Sequence, residues 1–232
     1  MKEEVGKILR MVEEGKLSAE EAEKLLSAMD APRSLGAGVG ISFGRKRQEE
    51  FVEKELPGRD DFKLSFSASK SELMLWQEDT VKAEIWLGDL GSVEETPDGL
   101  VLNMARARIH LPAGRSVQLD LSAGKVVGEV PPVTYLTCSA GKAKLQGMRE
   151  GKLTCNAGKV EVALSPEPGP LIVEANAGKV ELFVPGERRM HIIKEESNAC
   201  GIFVDREIED PSAPQAVVRC NAGKVTIYKE KE

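Results

Sequence analysis

A Gly-Lys pair that follows a strand-like segment is the feature of this sequence with the clearest chemical potential, because glycine-rich loops ending in lysine bind phosphate groups. The pair lies inside the pentapeptide Asn-Ala-Gly-Lys-Val, which occurs at 156–160, 176–180 and 221–225. Weaker copies begin at Ser122, Ser139 and Asn198. A phosphate loop has the pattern G-x-x-x-x-G-K-[ST], whereas Val or Ala follows these lysines and Leu153 stands five residues before Gly158. The repetition therefore favours an architectural role.

The spacing of the copies predicts the fold. They recur every 17 to 23 residues, and repeats of this length cannot bury their own apolar face, so they must stack on their neighbours. An alternating apolar and polar segment precedes each Asn or Ser, and a second one follows each Lys, which places one side of every strand inside. We predict a mainly β fold, a parallel β-helix or β-solenoid, with its coils stacked in sequence order and each pentapeptide at the corner between two strands.

The residue types of the pentapeptide suit such a corner. Glycine permits a positive φ or a close approach between backbones. Asparagine side chains at equivalent positions of stacked strands can form a ladder of amide hydrogen bonds, which we expect of Asn156, Asn176, Asn198 and Asn221. The predicted structural corner motif consists of Asn156, Gly158, Asn176, Gly178, Asn221 and Gly223.

The lysines after these glycines are predicted to form an outward column, interrupted where Gly201 replaces Lys. A solvated edge is one interpretation of such a column, because exposed charges interact weakly. The alternative is a cationic strip that binds an anionic envelope polymer or lipid headgroups. The candidate strip consists of Lys125, Lys142, Lys159, Lys179 and Lys224.

Other reactive residues do not assemble into a recognisable site. His110 and His191 are far apart, and no Ser-His-Asp or Cys-His arrangement is visible. The four cysteines have no C-x-x-C spacing, so we expect free thiols rather than a metal site. We predict no catalytic residue, cofactor or metal. A carbohydrate-active solenoid enzyme remains an alternative, with these carboxylates as candidates: Asp120, Glu161, Glu174 and Glu181.

Charge and hydropathy limit the partners. The net charge of −6 and pI near 5.3 argue against nucleic acid. No segment approaches the ~20 apolar residues of a membrane span, and the first residues do not form a signal peptide. We therefore expect a cytoplasmic location by default, with association to a membrane or envelope left open. The connections far from the pentapeptide vary most, and in solenoids such insertions gather on one face.

The N-terminal residues have a different pattern. Apolar residues at helical spacing, including Val5, Leu9, Leu25 and Met29, predict a small α-helical hairpin at 1–30. A Gly-rich linker at 31–60 and a β-solenoid at 61–232 are predicted to follow. Within the solenoid, "GDLGSVEETPDG" is predicted to be a connecting loop. Thirty residues rarely form a stable core alone. The apolar faces of the hairpin must therefore pack against the main domain, a protein partner or a second copy.

The repeats "LDLSAGK", "LTCSAGK", "LTCNAGK", "VEANAGK" and "VRCNAGK" resemble the bacterial "putative adhesin" β-solenoid domain family. The segment "EEVGKILRMVEEGKLSAEEAEKLLSAM" resembles the SHOCT-like helical domain that often precedes it, and the combination is similar to LiaX- and YvlB-type envelope-stress proteins. The resemblance implies a non-catalytic interaction or scaffold protein in envelope stress or surface binding. A self-assembling solenoid that polymerises through its open ends is an alternative.

Overall fold

The computed structural model describes residues 49–196 and 199–230. The predicted hairpin at 1–30 and most of the predicted linker lie outside the described residues. In the described part, alternating apolar residues form a series of β-strands. Their bounds are β1 Glu50–Pro57, β2 Phe62–Ser67, β3 Ser69–Trp76, β4 Thr80–Thr96, β5 Gly99–Pro112, β6 Val117–Leu121, β7 Gly124–Glu129, β8 Val133–Cys138, β9 Lys142–Met148, β10 Glu150–Cys155, β11 Lys159–Leu164, β12 Leu171–Ala175, β13 Lys179–Val184, β14 His191–Glu196, β15 Gly201–Val204, β16 Gln215–Cys220 and β17 Lys224–Lys229.

Each coil contributes one strand to each of two parallel stacks, which confirms the predicted β-solenoid. The first face contains β2, β6, β8, β10, β12, β16 and β14, and the second face contains β3, β7, β9, β11, β13, β17 and β15. The long strand β5 runs along β2 and then β3. Inward residues of both faces, such as Leu153 and Val160, are fully buried. Burying one such side chain stabilises the fold by about 1.5–3 kcal/mol, so the core between the faces holds the coils together.

The end of the solenoid that precedes β2 is closed by antiparallel strands. The strand β4 pairs with β5, and β1 pairs with β4 from Glu50↔Leu87 to Pro57↔Thr80. The predicted linker was therefore too long, because β1 begins at Glu50. The predicted loop "GDLGSVEETPDG" was also wrong, since β4 continues to Thr96 and Gly99 opens β5. Its glycines produce only a local bulge between Leu87 and Ser92.

The coils do not stack in sequence order at the other end. The coil β16–β17 lies between β12–β13 and β14–β15, so Gly201 ends the lysine column instead of interrupting it. The two copies differ at the third position of the pentapeptide. A Cβ on Gly223 would collide with the main-chain oxygen of Gly178. The terminal coil has Cys200 at the equivalent position, beside Gly223.

This coil order also corrects the expectation of free thiols. Cys200 and Cys220 are joined by a disulfide, with a Cα–Cα distance of 5.8 Å. Their coils are neighbours only because β16–β17 lies beside β14–β15. Cys138 and Cys155 are free and buried on adjacent coils. The hydrogen bond with Cys155 and burial raise the pKa of the Cys138 thiol, so it behaves as an inert part of the core.

Candidate functional site

The corners that carry the site are tied together by side chain and backbone. Asn176 Nδ2 donates to Asn156 Oδ1 at 2.7 Å, and Asn221 Nδ2 donates to Asn176 Oδ1 at 2.7 Å. Asn198, the fourth residue of the predicted ladder, lies outside the described residues. The backbone N–H groups of Lys159 and Lys179 donate across the corner to Gly141 O and Gly158 O, respectively. These bonds fix the lysine backbones one strand spacing apart, about 4.8 Å.

The corner glycines serve close approach between coils. A Cβ on Gly158 would collide with the main-chain oxygen of Gly141 and with Cys138 Sγ, and one on Gly178 would collide with Cys155 Sγ. Neither glycine has a positive φ, in contrast to Gly124 with φ of 106°. Gly158 and Gly178 are therefore explained by close approach to the neighbouring coil and not by a positive φ.

The structure places the five predicted lysines in one register column and adds two residues to it. Lys125 pairs with Lys70, and Lys70 pairs with Arg106. The complete series, which we call the basic column, runs Arg106, Lys70, Lys125, Lys142, Lys159, Lys179 and Lys224 on adjacent strands of the second face.

Sequence reasoning missed Lys70 and Arg106 because their corners lack the central glycine. "SASK" at 67–70 and "NMAR" at 103–106 align with "SAGK" and "NAGK". At these two corners a positive φ occurs at the second position, at Ala68 and Met104, with values of 51° and 48°. Ser69 stabilises this variant, because its Oγ donates to Leu102 O at 2.9 Å. A search with Ser or Ala allowed at the third position would have found both copies.

Ion pairing divides the basic column. Lys159 forms an ion pair with Glu161, and its Nζ lies 2.8 Å from Glu181 Oε2. Lys179 Nζ lies 2.8 Å from Glu181 Oε1. Both lysines are half-buried and their charges are compensated. The basic residues of the column between β5 and β9 are exposed. None of them forms an ion pair with a carboxylate among residues 49–196 and 199–230. We call this group, which includes Lys144 beside the column, the basic patch: Lys70, Arg106, Lys125, Lys142 and Lys144.

The basic patch borders two shallow depressions. One has a volume of about 270 Å³ and is lined by Lys70, Arg106, Lys125 and Trp86, among others. The guanidinium of Arg106 lies 5.8 Å from the centre of the Trp86 ring, a cation–π distance. The second, of about 240 Å³, lies beside Lys144. The patch thus offers cations, an aromatic ring and room for a ligand on one face.

At the compensated part of the column, Glu181 is the most buried carboxylate of the ion pairs, with a side chain 11% exposed. Hydrogen bonds from Lys159 and Lys179 hold its pKa below the usual value of 4.5. Hydrogen bonds with Glu161, and next with Glu181, raise the pKa of Lys159. Lys159 and Lys179 are therefore held in ion pairs with their own and neighbouring coils. Among the described residues of the column, the basic patch at one end and Lys224 at the other have no ion pair, and Lys224 lies 4.7 Å from the centre of the Phe203 ring.

Replacing Glu181 with Gln is expected to reduce the acid sensitivity of the fold. A carboxylate whose pKa is lowered by folding stabilises the protein above its unfolded pKa, near 4.5, and this stabilisation is lost as the pH falls through the folded pKa. Urea unfolding at neutral pH and at acid pH should show a smaller loss for Glu181→Gln than for wild type, after a cost of about 1 kcal/mol at neutral pH. An equal loss in both proteins would contradict the assignment, and Glu94→Gln, at an exposed position, should behave as wild type.

The carboxylates of the enzyme alternative are divided between the two faces, and of the four only Glu161 and Glu181 are register partners on adjacent strands. Asp120 and Glu174 lie on the first face, where they pair with Lys63 at 2.7 Å and Lys152 at 2.9 Å. Glu161 and Glu181 lie on the second face, with Lys159. His110 lies against Trp76, with ring centres 5.3 Å apart. In the described part of the chain, no group of three or more His, Cys, Asp or Glu residues could hold a metal ion.

Comparison with known proteins identifies the N-terminal segment. Residues 3–34 match the model of the SHOCT-like domain. The chain carries a SHOCT-like domain. This confirms the resemblance for that segment, which precedes the strands described above. No curated protein sequence matches the chain significantly. Within the residues that the structure covers, no helix is long and apolar enough to cross a membrane.

Solved structures similar to this chain carry adhesin names. A "putative cell adhesion protein" from Clostridium sporogenes is 12% identical, with a TM-score of 0.45, over 78% of this chain and 100% of that one. A "putative adhesin" from Bacteroides fragilis is 12% identical, with a TM-score of 0.31, over 77% and 97%. One from Parabacteroides distasonis is 10% identical, with a TM-score of 0.33, over 78% and 98%.

Proposed function

We propose that this chain is a non-catalytic binding protein whose solenoid holds an anionic partner on the basic patch. The observation that carries the proposal is the contrast along one column, where Lys159 and Lys179 are neutralised and the patch residues are not. Neighbouring like charges in water repel by about 1 kcal/mol or less, so the uncompensated group adds nothing to stability. In a chain with net charge −6, such a local concentration of positive charge is suited to an anionic partner.

The wider setting forms part of the same proposal. The similarity of the combination of SHOCT-like segment and repeats to envelope-stress proteins supports a role in bacterial envelope stress, at a membrane or envelope surface. The SHOCT-like segment would supply contact with a protein partner or a second copy, while the solenoid supplies the anion-binding surface. The alternative of end-to-end assembly has open strands in its favour, because β14 and β15 end the stack.

Binding of the full-length protein to fluorescent dextran sulfate, followed by anisotropy, tests the proposal. Wild type should bind, with affinity falling by about two orders of magnitude between low and physiological salt, since each cation contact releases a counterion. The variant with all five basic-patch residues changed to Gln should bind at least about thirtyfold more weakly.

The matched control removes five ion-paired basic residues outside the patch: Lys63, Arg115, Lys152, Lys194 and Arg219. It changes the net charge equally and should retain most of the affinity. Equal losses in the two variants would show that net charge alone governs binding and would refute a site at the basic patch. Absence of binding by wild type at low salt would refute the proposal outright.

A further inference from the structure

Exposed apolar side chains gather at the β1 end of the basic patch. Phe51, Leu90 and Met104 are 52%, 75% and 53% exposed, and Trp86 is partly exposed beside them. Single exposed apolar residues are common, whereas a contiguous group next to one sign of charge marks an interaction surface. We call these four residues the apolar rim.

Register and ring contacts make the apolar rim continuous with the basic patch. The rings of Phe51 and Trp86 lie 5.5 Å apart on paired positions of β1 and β4. Trp86 in turn lies against Arg106 of β5. Met104 precedes Arg106 by two residues on the same strand, and the bulge of β4 that carries Leu90 faces Met104, between Leu87↔Ala105 and Ser92↔Asn103.

We propose that the apolar rim and the basic patch together dock on an anionic lipid bilayer. Aromatic and aliphatic side chains at the boundary of headgroups and acyl chains, with lysines and arginine among the headgroups, are the chemistry of interfacial membrane binding. A soluble polyanion would satisfy the cations and leave Leu90 and Met104 in water. This inference rests on the proposed function, because the basic patch supplies the electrostatic attraction.

Some acidic residues near the apolar rim are compensated and others are not. Glu53 is held by Lys82 and Glu84 by Arg108, so their charges are compensated. Glu50 is exposed next to Phe51 and Asp89 is exposed next to Leu90, and neither makes an ion pair with the described residues. Their charges oppose an anionic surface, so Asp89→Asn should strengthen vesicle binding.

Co-sedimentation of the full-length protein with phosphatidylcholine vesicles containing about a third phosphatidylglycerol tests the docking. The variant Phe51→Ser, Leu90→Ser, Met104→Ser should partition about tenfold more weakly than wild type, with unchanged affinity for dextran sulfate. That unchanged affinity also reports an intact fold. The matched control Ile172→Ser, Phe203→Ser, Tyr228→Ser changes three exposed apolar residues of the other half of the solenoid and should partition as wild type.

The outcomes separate the inference from the proposed function. If the apolar-rim variant partitions as wild type, or if wild type binds dextran sulfate and no vesicles, the partner is a soluble anionic polymer and the bilayer assignment is wrong. If wild type binds neither probe, the proposed function fails as well. Weaker vesicle binding by Asp89→Asn would also contradict the orientation, because removing a negative charge should favour an anionic surface.

Discussion

Gly158→Ala is expected to destabilise the solenoid by about 3 kcal/mol, because the added Cβ cannot be accommodated without moving a coil. The methyl group would meet the main-chain oxygen of Gly141, the backbone nitrogen of Gly141 at 3.1 Å and Cys138 Sγ at 2.8 Å. A backbone oxygen that also accepts the N–H of Lys159 cannot turn away without losing that bond. Urea unfolding at neutral pH measures the change in the free energy of unfolding.

A glycine in open space is the control for this variant. A Cβ on Gly114 would meet no atom within 4 Å, so Gly114→Ala should change stability by about 0.5 kcal/mol or less. If Gly158→Ala is as stable as Gly114→Ala, contact between coils is not the reason for the glycine in the pentapeptide.

Arg188→Met is the second change with a large expected effect, a loss of about 3 kcal/mol or more. Arg188 is 2% exposed, and its guanidinium donates to the main-chain oxygens of Ser165, Arg149 and Gly169, at 2.8, 2.7 and 3.2 Å. Burial lowers its pKa to about 10. Replacing Arg188 with an uncharged residue removes the free-energy cost of burying its charge. Each hydrogen bond from a charged group, however, contributes about 1.5–3 kcal/mol to the free energy of unfolding. The three bonds together outweigh the recovered cost.

The residue next to it provides the comparison. Arg189 is partly exposed and donates to Gly186 O and Arg188 O within its own turn. Water can replace those bonds, so Arg189→Met should cost about 1 kcal/mol or less. Chemical denaturation of both variants decides the matter. Equal stability of the two variants would show that the hydrogen bonds of Arg188 do not stabilise the connections that contain Arg149, Ser165 and Gly169.

The alternation of apolar residues and the repeat spacing were enough to predict the solenoid, the inward position of Leu153 and Val160 and the corner glycines. These features depend only on each coil and its immediate neighbour. The order of the last coils could not be predicted in this way, because it depends on which of the two last copies pairs with β12 and β13. The disulfide was missed for the same reason, because it joins residues that only this order makes neighbours.

The candidate site was predictable in part. A column of lysines follows from the repeat, but the ion pairs that divide it depend on Glu181 lying one coil away from Lys159. Lys70 and Arg106 were missed because their corners have Ser69 and Ala105 in place of the glycine, with a positive φ at the preceding residues, Ala68 and Met104. The apolar rim depends on antiparallel strands in a segment where turn residues had predicted a loop.

Lysine acetylation footprinting with and without dextran sulfate, measured by mass spectrometry on the full-length protein, tests the central claim most directly. Protection should concentrate on Lys70, Lys125, Lys142 and Lys144. Lys63 and Lys152, which lie on the first face in ion pairs with Asp120 and Glu174, should react as in the free protein. Protection spread evenly over both faces, or stronger on the first face, would contradict a binding site at the basic patch.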